Sequence, residues 1–401
     1  MEGRPADPVR RPRPTPGAVQ RRRALATALA VAATALIYLL FLRGGDEPDP
    51  GAGAGATGRG VTEPVANLVK EMSLEERVDQ VLLLGFAGTD ASSPIFEELA
   101  TRQLGGVLIE GPNWVDATAG AELAGALRAE GLRGDRISPL IATKQEGGIY
   151  RSLPDLPPEE RELDVGRDGN PQFAERWAFD TAQGLRSSGI DLNLGLVADV
   201  AGPDSPVAGR AFSNDPLIAA ELTAAAVRGC DAGRVACAAL HFPGLGAASQ
   251  DVAEGPATVG LDPATLATRD LAAFDAAFAE RVPAVVLSLA FYASYDAVTP
   301  AAMSRPVAAG LLRDDLRYDG AAITDDLGAG AVKATSSVAD AAVESLRAGA
   351  DMVQIASPRD QEGVAEALVE AARDGVIPED RLAEAAGRVL ELKRTLNLLR
   401  L

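Results

Sequence analysis

From Met72 onward, eight short runs of β-branched or Leu-rich residues recur along the chain, most of them separated by Ala-rich amphipathic stretches. This alternation limits the fold more than any other feature, because it is satisfied by a parallel sheet whose crossovers are helices. The runs are Val81 to Phe86, Gly106 to Ile109, Pro139 to Ala142, Asp191 to Leu196, Val235 to Leu240, Ala284 to Ser288, Ala321 to Thr324 and Met352 to Ile355. Helical stretches are expected at Gln172 to Ser187, Asp215 to Ala232, Pro263 to Glu280 and Ser337 to Ala348, and Ser73-Leu74-Glu75-Glu76 has capping-box spacing at a helix start. Eight strand-and-helix units over about 330 residues match an α/β TIM (β/α)8-type barrel with some enlarged loops. A doubly wound open sheet is the alternative, and no GxGxxG or Walker A sequence supports a nucleotide site on it.

Charge is placed unevenly. The chain carries 38 Lys and Arg against 57 Asp and Glu, a net charge of −19. Its first 43 residues hold eight arginines against Glu2 and Asp7, so the remainder carries −25. Such an acidic body argues against a nucleic-acid binder, whose affinity rests on neutralising phosphates. After Arg21-Arg22-Arg23 comes an uncharged run of nineteen residues, Ala24 to Leu42, closed by Arg43. As a helix it would span about 28 Å, close to the hydrocarbon thickness of a bilayer. The preceding arginines would keep the N-terminus cytoplasmic and send the acidic body across. A cleaved signal peptide is the competing reading, with cleavage in the Gly/Ala tract 51–57. The expected organisation is a basic cytoplasmic segment 1–23, a transmembrane anchor 24–43, a flexible Gly/Pro/Ala-rich tether 44–62 and a barrel domain 63–401.

Chemistry in such a barrel collects where the strands end. Lys144, Gln145 and Glu146 follow the third predicted strand, Asp199 the fourth, His241 the fifth, and Asp325 with Asp326 the seventh. One His and two Cys rule out the usual His/Cys zinc sites, so catalysis would lean on carboxylates. Two carboxylates facing one cavity are what glycoside hydrolysis requires, one attacking the anomeric carbon or activating water while a second acid protonates the leaving oxygen. An acid at a strand end serves equally well to cap the next helix or to bind an arginine. Cys230 and Cys237 are compatible with a disulfide outside the cytoplasm or with two buried thiols. The loop Glu110-Gly-Pro-Asn-Trp114 offers either a stacking face or a packed tryptophan.

Several stretches carry a family resemblance: Met72-Ser-Leu-Glu-Glu-Arg-Val-Asp-Gln, Gly105-Gly-Val-Leu-Ile, Lys144-Gln-Glu-Gly-Gly, Gly189-Ile-Asp-Leu-Asn-Leu with Val197-Ala-Asp-Val, Gly209-Arg-Ala-Phe-Ser-Asn-Asp-Pro, His241-Phe-Pro-Gly, Tyr318-Asp-Gly-Ala-Ala-Ile-Thr-Asp-Asp-Leu and Ala348-Gly-Ala-Asp-Met-Val. In order and spacing they resemble the N-terminal barrel of glycoside hydrolase family 3, in its single-domain bacterial β-N-acetylhexosaminidase branch. The resemblance implies that Asp325 is the nucleophile, that Arg210 contacts the sugar, and that Asp251 falls on the aspartate of an Asp/His acid/base dyad. It also places His241, Lys144 and Glu146 at the substrate and implies no cofactor or metal.

Against that pattern, six polar positions facing the sugar or the reacting bond are replaced. The dyad histidine is Ala253, and Leu240, Leu245, Ile149 and Leu289 stand for a lysine, a histidine, an arginine and a histidine. Lys144 stands for an aspartate that binds a sugar hydroxyl. Loss of acid assistance typically costs about 10²- to 10⁴-fold in rate. The expectation is therefore a membrane-anchored, extracytoplasmic relative of amino-sugar hydrolases, impaired or inactive, with an amino-sugar glycan or peptidoglycan fragment as partner. An active retaining glycosidase using Asp251 or Glu254 as acid, and an envelope protein-interaction module without a glycan ligand, are the alternatives.

Overall fold

The computed structural model describes residues 60–134 and 136–401. Eight strands form one sheet: β1 Leu82–Gly85, β2 Gly106–Leu108, β3 Leu140–Thr143, β4 Leu192–Val197, β5 Ala236–Phe242, β6 Ala284–Leu287, β7 Ala321–Thr324 and β8 Val353–Ile355. Their order is β7-β6-β5-β4-β3-β2-β1-β8, and every ladder between them is parallel. A parallel bridge between Ile323 and Met352, with the Thr324 amide donating to the Met352 carbonyl at 2.9 Å, joins the two ends into a barrel. All eight predicted runs are strands, with ends shifted by a residue or two. Every residue of the eight is buried, the reason they read as unbroken apolar runs rather than as alternating ones.

Local chemistry sets the helix starts. Ser73 and Glu76 close the expected capping box, with the Glu76 amide donating to Ser73 Oγ and the Ser73 amide to Glu76 Oε2. Asn170-Pro171, Asp215-Pro216 and Asp262-Pro263 repeat one device, a side chain accepting from the first-turn amides followed by a proline whose missing N–H costs nothing there. The stretch expected as one helix from Pro263 to Glu280 is two, Pro263–Arg269 and Leu271–Ala279. Asp270 sits at the junction, fully buried with its carboxylate on Arg269, and its Cβ packs so tightly on Gly244 that a side chain there would clash.

At the start of the described body, helix Glu63–Glu71 packs against helix Glu379–Thr395, and Thr62 donates through Oγ1 to Glu391 at 2.9 Å. Among the described residues no helix is long and apolar enough to cross a membrane; the run Ala24 to Leu42 lies outside them. Cys230 and Cys237 are both buried free thiols.

Candidate active site

The C-terminal ends of β3, β5 and β7 deliver Lys144, His241 and Asp325 to the barrel mouth. The Asp325 amide donates to the Leu287 carbonyl of the neighbouring strand end at 3.1 Å, which sets the side chain's departure point. Its carboxylate, 18% exposed, lies 3.7 Å from Lys144 Nζ and 4.0 Å from His241 Nε2. Burial alone would raise its pKa, but Lys144, His241, the Asp326 amide and Arg210 outweigh burial and hold the carboxyl below its ordinary value. A carboxylate kept ionised and facing the cavity is what a nucleophile at an anomeric carbon needs.

Arg210 reaches the same place from the loop after β4. Its Nε and one terminal nitrogen clamp Glu146 at 2.6 Å each, a bidentate charge-assisted pair, and the latter nitrogen lies 3.3 Å from His241 Nε2. The Asp199 carboxylate lies 2.7 Å from His241 Nδ1 and accepts from the Leu245 amide at 2.7 Å. His241 is therefore both the buried, satisfied histidine and a ring turned toward Asp325. Behind this network Glu162 is fully buried with one oxygen accepting from the Val197 amide, and burial pushes its carboxyl pKa well up. Gly147 and Gly148 turn the chain at φ 101° and 54°, and a Cβ on Gly147 would lie 2.3 Å from the Glu160 carbonyl oxygen, so the tight turn at the mouth requires glycine.

Asp251 lies on the β5–β6 loop, which docks on the segment after Asp325 through Gly330 N to Ala253 O (3.1 Å) and Ala331 N to Val252 O (3.0 Å). Its carboxylate accepts from the Ala253 amide at 2.9 Å, and among the described residues no ion pair joins it or Glu254 to the cluster. Leu240, Leu245 and Leu289 are packed in the barrel core, while Ile149 is 82% exposed and turned to solvent. Trp114 is a packed tryptophan: its Nε1 donates to Asp155 and its ring covers Gly120, where a Cβ would fall 2.0 Å away. Among the described residues no group of three or more His, Cys, Asp or Glu side chains is placed to hold a metal ion.

Glu110 is the participant that sequence reading passed over, taken only as part of the Trp114 loop. Two residues beyond β2, it is near enough to Lys144, Asp326 and Asp325 to feel their charges, and burial raises its pKa despite the opposing pull of Lys144. Its position just after a strand end was the available signal.

Comparison with known proteins agrees with this architecture. The Glycosyl hydrolase family 3 N terminal domain matches residues 73–392. The β-hexosaminidase of Stenotrophomonas maltophilia (strain K279a) is 32% identical over 291 residues, 69% of this chain and 84% of that protein. A glycoside hydrolase family 3 β-N-acetylglucosaminidase from Paenibacillus sp. str. FPU-7 superposes with a TM-score of 0.79 at 30% identity over 82% of this chain, which spans 63% of that longer protein. The β-N-acetylhexosaminidase of Beutenbergia cavernae DSM 12333 superposes with a TM-score of 0.73 at 29% identity, over 80% of this chain and 98% of that one. A closed parallel barrel, an ionised Asp325 at its mouth and these matches together identify the chain as a member of glycoside hydrolase family 3, carrying the family's N-terminal barrel in a form similar to the β-N-acetylhexosaminidases.

Proposed function

We propose that this chain is a membrane-anchored, extracytoplasmic family 3 barrel that binds amino-sugar glycans at the Asp325 mouth and hydrolyses them feebly. The observation that carries this reading is an asymmetry in the site. The nucleophile position is intact and held ionised by Lys144, His241 and Arg210. The acid/base position has lost its partner: Ala253 stands where the dyad histidine belongs, leaving Asp251 without it. A glycosyl–Asp325 intermediate would form by attack at the anomeric carbon as the leaving oxygen departs, and without a placed acid that departure carries most of the barrier. Lys144, 3.7 Å from Asp325, adds to the impairment because its ammonium neutralises the carboxylate that a developing oxocarbenium ion would otherwise feel. The basic cluster, the apolar run Ala24 to Leu42 and the tether after it support the anchored, outward-facing placement.

The test is a chromogenic N-acetylglucosaminide assay on the full chain beside Asp325→Ala, with calorimetry of N-acetylglucosamine binding. Measurable binding with turnover about 10²- to 10⁴-fold below that expected with full acid assistance is the expected outcome. Brisk turnover that vanishes in Asp325→Ala would overturn the impairment. Absence of glycan binding would overturn the amino-sugar reading and favour a protein-interaction module. Retention in the membrane fraction after a salt wash tests the anchor separately.

A further inference from the structure

Of the six replaced positions, only residue 144 acquired a charge, and that charge has a new neighbour. Strands β2 and β3 run in parallel with Leu108 opposite Ala142. Two residues further along each strand, on the same side of the ladder, come Glu110 and Lys144. The pairing continues past the strand ends, since the Ile109 amide donates to the Ala142 carbonyl at 2.8 Å. The Glu110 backbone is then pinned: its amide donates to Asn113 Oδ1 at 3.1 Å, and Asn113 Nδ2 donates to the Phe86 and Gly88 carbonyls at 2.8 and 3.0 Å. Acid and base thus leave adjacent strand ends of a rigid frame; Lys144 Nζ lies 3.7 Å from Asp325, and Glu110, Asp326 and Glu146 are the further carboxylates within electrostatic reach of it.

We propose that Glu110 and Lys144 form a rebuilt glycon-binding pair, an acceptor and a donor presented together to neighbouring hydroxyls of a neutral sugar, in place of the single aspartate lost at position 144. The proposal deepens and rests on the amino-sugar reading of the mouth. A carboxylate beside an ammonium satisfies a diol better than either alone, because each hydroxyl both donates and accepts. The local balance also selects the sugar. Four carboxylates, Glu110, Glu146, Asp325 and Asp326, lie within electrostatic reach of Lys144 and outnumber the cations Lys144 and Arg210, so a ring bearing its own carboxylate is repelled where a neutral ring is accepted.

The experiment is calorimetry on the full chain in detergent micelles, with N-acetylglucosamine and its carboxylated counterpart N-acetylmuramic acid as probes. Glu110→Ala should weaken N-acetylglucosamine binding about tenfold or more, as expected for a hydrogen bond to a charged group. Glu110→Ala with Lys144→Ala should be clearly less than additive. Glu110→Gln, which keeps the shape, should narrow the preference for the neutral sugar. If both Glu110 variants keep wild-type affinity and selectivity and shift only the melting temperature, Glu110 is merely a counter-ion to Lys144 and the pair is refuted while the amino-sugar reading stands. If wild type binds no N-acetylglucosamine, both fall together.

Discussion

The two ends of the barrel both bury charge, and they do so in different ways. At the N-terminal floor, Asp351 is fully buried just before β8 and is held by Arg313 at 2.6 Å, Arg381 at 2.7 Å and Arg388 at 3.2 Å, with the Ala322 amide adding a fourth bond at 2.9 Å. Arg313 also donates to the Tyr318 and Gly320 carbonyls, and Arg381 to Ala350, so one carboxylate organises three segments. At the mouth, Asp325 has cations at 3.7 and 4.0 Å and keeps a face to solvent. Both carboxyls are held below their ordinary pKa by nearby positive charge that outweighs burial. A carboxylate with three arginines at hydrogen-bond distance is part of the frame; Asp325, which accepts from the Asp326 amide at 2.8 Å while its cations lie further off, has room left for a ligand.

Three measurements would break or sharpen this contrast. The largest effect belongs to the floor. Asp351→Asn removes the counter-charge of Arg313 and one of the two carboxylates that hold Arg381 and Arg388, whose other partner is Glu384, and should cost about 3–5 kcal/mol in denaturant unfolding. A loss below about 1 kcal/mol would place Asp351 with the weak surface pairs and erase the distinction.

Next comes Lys393, also in the floor and fully buried, donating to Gln80 Oε1 at 2.7 Å and the Leu104 carbonyl at 3.3 Å. Burial lowers its pKa to about 7. The unfolded chain, with an ordinary lysine near 10.4, therefore binds more protons between about pH 7 and 10, and stability should rise across that window by up to about 1.4 kcal/mol per pH unit. Lys393→Met should flatten that rise, read from unfolding curves at several pH values; an unchanged slope would show that Lys393 is charged in the fold.

The smallest effect on stability belongs to the mouth. Lys144→Ala should change unfolding free energy by less than about 1 kcal/mol, because the pair is long and partly exposed. The same substitution should raise the Asp325 pKa, followed by carboxyl carbon NMR. A large stability loss without that rise would make the mouth a second structural clamp.

The floor's charges attracted no notice in the sequence because nothing in Asp351, Arg313 or Arg381 announces a shared partner; their separations along the chain are bridged only by barrel closure. The mouth was more legible. Lys144, His241 and Asp325 each follow a strand, and strand ends in a parallel barrel converge, so their meeting was expected from topology. Glu110 obeys the same rule but was hidden by the neighbouring Trp114, whose size drew the functional reading; that ring is packed on Gly120 instead. Asp251 was legible only through its motif, and the structure adds that its carboxylate accepts from the Ala253 amide, a local bond available to aspartate in any turn.

The order of apolar runs and helix-start signals was enough to point to a parallel sheet of eight strands and to the loops that carry its chemistry, because strand burial and helix starts follow from near neighbours in the chain. Only the tertiary structure decided that the sheet closes, through Ile323 and Met352, and how the charges pair. Whether Lys144 meets Asp325, and whether Asp199 backs His241, depends on distances of a few ångströms between loops far apart in sequence, and electrostatic and hydrogen-bond energies change steeply over that range.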